Sequence, residues 1–151
     1  MPVTLVKTKW NAGYLEFTDN SGTVLFKIGA GQHRQRAKSV WFNLDNGAGT
    51  TVDDVIMRPA QAITIVAARI LYVDATTGTV AAGNAKLGTT LGGAEIVAAT
   101  AYENTKAVGT TTAMVIAAGA VPANTSVFVR HTGVAITQAG QAVVEVDYTV
   151  D

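Results

Sequence analysis

Cysteine is absent from this chain of 151 residues, and other reactive residue types are scarce. The absence of cysteine excludes disulfides, thiolate metal sites and cysteine nucleophiles. Two histidines, His33 and His131, are available for imidazole chemistry, and aromatic residues make up 7% of the chain. Charged residues amount to 15%, below the roughly 25% of an average soluble domain. Because so few groups are available for catalysis, we expect neither enzyme activity nor a cofactor.

Long hydrophobic runs are also missing. The first ten residues lack the apolar region of a secretion signal, and no stretch reaches the ~20 apolar residues that a membrane span requires. We therefore expect a protein without membrane contact that is made and kept without export. A chain of this length has the size of one ordinary domain and can bury a core without disulfides.

What the sequence does contain is the pattern of β-strands. From Val144 to Asp151 apolar and polar residues alternate, which predicts a strand with one buried and one solvent-facing side. Residues 62–73 form the longest apolar run, and their β-branched side chains predict a buried central strand. Further strands are predicted within 80–90, 113–119, 126–132 and 142–150. Residues 94–102 allow a short helix as well as a strand, because apolar residues recur there at roughly helical spacing.

The N-terminal part predicts a β-hairpin, with strands in 13–19 and 23–29 on either side of a turn at 20–22. The polar, basic stretch 30–39 has no periodicity and predicts a loop or linker. The fold class that follows is all-β, a jelly-roll-like antiparallel β-sandwich with an N-terminal β-hairpin and arm. We place the arm and hairpin in residues 1–45 and the sandwich in residues 46–151.

Charge is unevenly distributed along the chain. Residues 1–43 hold six basic and two acidic side chains, whereas residues 44–151 hold five basic and nine acidic ones. This suggests either two oppositely charged faces or a segment that docks on an acidic partner surface, although chance scatter explains the same counts. The basic run beside Trp41 and Phe42 could hold nucleic acid, but a chain without net charge lacks the required positive field. We therefore expect no nucleic-acid partner.

The side chains that could carry chemistry form no motif. Asp53 and Asp54 are adjacent on a predicted strand, so they point to opposite faces and cannot act as an acid–base pair. Residues 45–51 hold part of a calcium-loop pattern without its alternating oxygen donors or final glutamate. His33 lies in a basic loop, where a solvated or partner-contacting role is favoured. His131 follows Arg130 at the end of a predicted strand, where we expect it to cap or hydrogen-bond the next turn, with a ligand role as the alternative.

Three segments, residues 63–80, 86–100 and 121–150, resemble the jelly-roll decoration proteins of tailed bacteriophages, also termed cement or head-stabilising proteins. The third segment carries most of the likeness, with a proline before a late strand and a glycine turn before the final alternating strand. The predicted N-terminal hairpin is also similar to segments of phage structural proteins.

The resemblance implies a virion structural protein that is made in the host cytoplasm and located on the capsid exterior. It implies a homotrimer that clamps neighbouring major capsid protein subunits and stabilises the assembled shell, an effect that many bound copies would multiply. The candidate capsid contacts are basic and aromatic residues of the N-terminal part: Lys7, Lys9, Trp10, Arg34 and Arg36.

The alternative function is that of a carbohydrate- or receptor-binding β-sandwich module of a virion fibre or spike. Such modules display exposed aromatic side chains that stack on sugar rings, together with polar groups that fix the hydroxyls. Both tryptophans, Trp10 and Trp41, lie in the N-terminal third of the chain, away from the predicted sandwich loops, which weighs against sugar binding.

Overall fold

The computed structural model describes residues 7–11, 14–18, 24–29, 34–45, 47, 49–76, 80, 82–134 and 140–151. Within these ranges the chain forms strands and contains no helix. The strands are β1 (Lys7–Asn11), β2 (Tyr14–Thr18), β3 (Val24–Gly29), β4 (Gln35–Lys38), β5 (Phe42–Asn43), β6 (Thr51–Met57), β7 (Ile63–Tyr72), β8 (Asn84–Gly88), β9 (Val97–Ala101), β10 (Thr111–Met114), β11 (Ala120–Val121), β12 (Val127–Thr132) and β13 (Gln141–Val150).

The first three strands form an antiparallel sheet in the order β1-β2-β3. Tyr14 of β2 lies opposite Gly29 of β3, which confirms the predicted hairpin; its turn lies outside the described residues. β1 adds a strand that was not predicted, with Lys7 opposite Thr18.

Eight longer strands build two further sheets, with the orders β10-β7-β13-β4 and β6-β12-β8-β9. In chain order, the first of these eight strands pairs with the last, the second with the second last, and so on inward. The antiparallel pairs are therefore those of one long hairpin: β4–β13, β6–β12, β7–β10 and β8–β9. Rolling this hairpin up distributes its strands over two sheets, which is the jelly-roll arrangement. The predicted all-β sandwich is confirmed, and the short strands β5 and β11 extend its first sheet by pairing with β13 and β7.

The prediction of a loop or linker over residues 30–39 is wrong where the structure describes it. Gln35–Lys38 is β4, the first strand of the jelly roll, and pairs with β13 from Lys38 opposite Glu145 to Gln35 opposite Tyr148. Because this strand gives only Ala37 to the core, the sequence lacks the apolar alternation that marks a strand. The division of the chain at residue 45 stays a prediction; β4 and β5 precede that point and pair with β13.

The hydrophobic core lies between the two jelly-roll sheets. β7 runs between β10 and β13, and every second residue near its start and end is buried, which confirms the predicted central strand. The helix considered for residues 94–102 is absent from this described segment, since Val97–Ala101 forms β9. Ile96 and Tyr102, at its two ends, are buried in the core.

Candidate functional site

The outer face of the sheet β10-β7-β13-β4 carries a cluster of ion-paired side chains, termed here the charged ladder. Its members are Arg36 and Lys38 on β4, Arg69 on β7, and Glu145 and Asp147 on β13. Antiparallel register places Glu145 between Arg69 and Lys38, and places Asp147 opposite Arg36. Cross-strand neighbours of opposite charge stabilise a sheet, so the sequence of each strand complements that of the next.

The distances within the charged ladder are those of direct ion pairs. Arg69 Nε lies 2.8 Å from Glu145 Oε2, and Arg69 Nη1 lies 3.0 Å from Asp147 Oδ2. Lys38 Nζ lies 2.7 Å from Glu145 Oε1, and Arg36 Nε lies 2.8 Å from Asp147 Oδ1. Each carboxylate is therefore bound by cations from both neighbouring strands.

The prediction of a solvent-facing side on β13 is wrong for its charged part. Glu145 is 3% exposed and Asp147 is 8% exposed. The alternation itself is correct, since Val144 and Val146 face the core. The carboxylates are buried because cationic side chains from β4 and β7 cover them.

The ion pairs keep both buried carboxylates charged. Hydrogen bonds from Arg69 and Arg36 lower the pKa of Asp147 from 3.8 to about 2. Burial acts to raise the pKa of Glu145, but hydrogen bonds from Lys38 and Arg69 outweigh it, and the pKa of Glu145 is lowered. At neutral pH the charged ladder thus holds three cations and two anions.

The charged ladder accounts for part of the uneven charge distribution along the chain. Arg36 and Lys38 belong to the basic N-terminal segment, and they pair with two acidic residues of the remainder, Glu145 and Asp147. Two basic residues of the N-terminal segment therefore bind an acidic strand of the same chain. A signal for this was present in the sequence, because the two basic and the two acidic residues share the i, i+2 spacing of strand neighbours.

The five candidate contacts fall into two groups. Arg36 belongs to the charged ladder, and Arg34 is exposed just before β4. Lys7, Lys9 and Trp10 lie on β1, for which the structure describes the backbone pairing. The structure thus places Arg36 beside Lys38, a cation that is not among the five candidates, and all five contacts stay predictions.

His131 is fully buried in the core on β12. Its Nδ1 lies 2.8 Å from the Tyr102 hydroxyl oxygen, and its ring stacks on Phe42 with ring centroids 4.6 Å apart. Nε2 has no hydrogen-bond partner among the described residues. Burial lowers the pKa of His131 from 6.5 to about 4, so the imidazole is neutral at pH 7. The predicted bond to the following turn is wrong, because His131 continues the inward series of Val127 and Val129.

Asp53 and Asp54 do not converge, as predicted for neighbours on a strand. Arg130 Nε donates to Asp53 Oδ1 at 2.7 Å, whereas Asp54 accepts a hydrogen bond from the Val40 backbone N–H at 2.8 Å. The hydrogen bond from Arg130 lowers the pKa of Asp53. Each carboxylate is thus engaged in a different structural contact. Within the described ranges, no three or more His, Asp or Glu side chains are grouped so that they could hold a metal ion.

A shallow groove of about 270 Å³ opens at the end of the sandwich where β4 begins. Its lining consists of Gln35, Pro59, Ala60, Gln61, Ile63, Tyr148 and Val150. The Tyr148 hydroxyl donates a hydrogen bond to Gln35 Oε1 at 2.9 Å. An aromatic ring with a few polar groups is a combination common in small-molecule sites. In the part of the chain described, no helix is long and apolar enough to cross a bilayer.

The fold defines an all-β protein of the jelly-roll class. No protein-family model matches the chain, and no curated protein matches it. Among solved structures, the chain is similar to one of the cyanophage Pam1 capsid asymmetric unit, with a TM-score of 0.56 and 16% sequence identity. The match covers 82% of this chain and 89% of that chain. At this level of identity the likeness shows a shared fold.

Proposed function

We propose that this chain is a non-enzymatic structural protein of a tailed-phage virion, and specifically a decoration or cement protein. In this proposal it is made in the host cytoplasm, binds the outside of the capsid as a homotrimer, and clamps neighbouring major capsid protein subunits. The observation that carries the proposal is the fold likeness to a chain of a phage capsid asymmetric unit, which extends over 82% of this chain. The resemblance of three sequence segments to phage decoration proteins also supports it.

The physical basis of the proposed function is linkage between binding and assembly. A protein that binds the assembled shell and not its free subunits stabilises the shell by mass action, at about 2.7 kcal/mol per site when the free protein is at 100 times its Kd. A trimer that contacts several subunits at once adds avidity to each contact. This activity requires a rigid scaffold with an exposed contact surface, and no bond needs to be made or broken.

The proposed function predicts co-sedimentation with purified shells of the cognate phage. We expect saturable binding, a higher disassembly temperature of the decorated shells, and three copies of the chain at three-fold positions in an electron-microscopy map. Free major capsid subunits serve as the control and should not bind. Equal binding to free subunits and to shells, or no binding to shells, would contradict the decoration function.

A second candidate function is sugar or receptor binding by a virion fibre or spike, and the groove at Gln35 and Tyr148 favours it. If the groove holds a saccharide, Tyr148→Ala should abolish binding on a glycan array, because it removes the stacking ring and the bond to Gln35. Leu91→Ala, which truncates an exposed side chain outside the groove, is the matched control. An array without any glycan signal for the unmodified protein eliminates this candidate.

A further inference from the structure

Trp41 is exposed to an unusual degree for its residue type. Its exposed fraction is 70%, and its neighbour Val40 is 55% exposed. Tryptophan is over-represented among the interface residues that contribute most to binding, because its large ring gains much from leaving water. An exposed tryptophan is therefore a candidate anchor for a partner.

The backbone on both sides of Trp41 is held in place. Ser39 exchanges two hydrogen bonds with Val144 on β13, from its backbone N–H to the Val144 carbonyl and from the Val144 N–H to its hydroxyl, each at 2.9 Å. The Phe42 ring is buried against His131, as described above. Because the chain around Trp41 is fixed before any partner arrives, less conformational entropy is lost when the ring is buried.

The ion pairs of β4, the strand that ends shortly before Trp41 in the sequence, are exposed on one side. The side chains of Arg36 and Lys38 are each 54% exposed, whereas those of Glu145 and Asp147 are 4% and 12% exposed. A partner that approaches β4 therefore meets Arg36 and Lys38 before Glu145 and Asp147. The acidic side chain nearest Trp41 in this segment is Asp54, which is bound to the Val40 backbone N–H. The pair of Lys106 with Glu103 has the opposite character, since there the acidic side chain is the more exposed one, at 48% against 24%.

We infer that the exposed side of β4 and the residues that follow it form a docking surface for an acidic protein surface. Trp41 is its apolar anchor, and Arg34, Arg36 and Lys38 supply the charge. The partner chemistry follows from complementarity, because half-exposed cations held by buried carboxylates attract carboxylates of a partner around an apolar contact. The identification of this partner as the outer surface of the capsid rests on the proposed function.

Two other occupants fit this surface less well. Glu145 and Asp147 neutralise two of the nearby cations, so the excess of positive charge is small for a polyanion such as nucleic acid. A second copy of the chain, placed symmetrically on the same surface, would bring its own cations against these cations, and like charges at an interface disfavour association. An acidic protein surface with an apolar contact at its centre complements both the cations and the Trp41 ring.

The test is co-sedimentation of full-length variants with purified shells at low and high salt. Trp41→Ala should weaken binding at least about tenfold, as for an interface anchor. Lys38→Gln should weaken it by about threefold and reduce its salt dependence, as for a rim charge. Leu91→Ala truncates a 68% exposed side chain and Lys106→Gln removes an ion-paired cation, so these matched controls should bind like the unmodified protein. Circular dichroism checks that each variant is folded.

The outcomes separate this inference from the proposed function. If the unmodified protein binds shells and Trp41→Ala binds equally well, the docking surface is wrong and the decoration function stands. If the unmodified protein does not bind shells, both are wrong. If the Trp41→Ala variant has a lower molar mass than the unmodified protein in light scattering, the surface serves self-association and the inference is overturned. If DNA displaces the unmodified protein from shells but does not displace the Lys38→Gln variant, the surface binds nucleic acid and the inference is overturned as well.

Discussion

Arg69→Met is expected to lower the free energy of unfolding by about 3 kcal/mol at pH 7, because it leaves Glu145 and Asp147 buried without their shared cation. Arg69 is the innermost cation of the charged ladder, with 19% of its side chain exposed. The cations that remain, Arg36 and Lys38, are half-exposed. Arg36 binds Asp147 more closely than Glu145, and Lys38 pairs with Glu145. Urea-induced unfolding followed by circular dichroism measures the change.

Two variants test the cause of this loss. Arg130→Met removes the cation of a more exposed pair, in which the Asp53 side chain is 18% exposed, and should cost about 1 kcal/mol or less. Arg69→Met combined with Glu145→Gln removes one of the two buried charges together with the cation, and it should recover part of the loss. If Arg69→Met costs no more than Arg130→Met, the charged ladder contributes no more than an ordinary surface ion pair.

The charged ladder also determines how the role of Arg36 can be tested. Arg36 binds Asp147 on the last strand, so the sandwich depends on this side chain. Changing Arg36 to glutamate would place a third carboxylate beside two that are buried, and a loss of partner binding could then reflect a loss of stability. For this reason Lys38→Gln, which leaves Glu145 paired with Arg69, is the cleaner probe of the surface.

The second large effect is expected on acidification, through His131. The folded-state pKa of about 4 lies below the ordinary value of 6.5, so protons bind to the unfolded chain first. The contribution of the neutral His131 imidazole to the free energy of unfolding is fully present above pH 6.5. It is lost as the pH falls towards 4, and the loss over this range amounts to about 3 kcal/mol. Asp147 titrates at lower pH, since its pKa is about 2, and the pKa of Glu145 is lowered from 4.5. Unfolding free energies measured between pH 7 and pH 4 should therefore report mainly on His131.

The matched variant for this prediction is His131→Phe together with Tyr102→Phe. It retains three stacked rings and removes both polar groups, so stability should be nearly independent of pH between 6.5 and 4. Tyr102→Phe alone leaves the imidazole Nδ1 buried without its partner and should cost about 1–3 kcal/mol. A double variant that keeps the full pH dependence would show that another group titrates in this range.

The elements that were predicted correctly are those whose own residues reveal their environment. β7 is rich in β-branched apolar residues, and in β13 the inward valines alternate with polar residues, so both strands could be predicted from the sequence. His131 could have been assigned to the core on the same basis, because it continues the alternation of Val127 and Val129. The expectation of a bond to the next turn followed instead from its position at the end of the predicted strand.

The elements that were not predicted depend on neighbours that are distant in sequence. Whether Glu145 faces water is decided by Arg69 and Lys38, and these residues meet it only through the pairing of β13 with β7 and β4. The strand character of β4 arises in the same way, since its partner lies more than 100 residues later: Arg36 and Asp147 are 111 positions apart. Composition and periodicity carry no information on such pairings, whereas complementary charge at equal spacing does.

The charged ladder also determines which alignment of the last strand is acceptable. A shift of β13 by one residue against its neighbours would turn every side chain to the opposite face. Glu145 and Asp147 would then enter the apolar interior without cations, and Val144 and Val146 would lie among arginine and lysine side chains. Valines alone on a long strand would tolerate such slippage more easily. The buried carboxylates therefore specify a single register for β13 against β4 and β7, including the pair in which the first strand of the jelly roll meets the last.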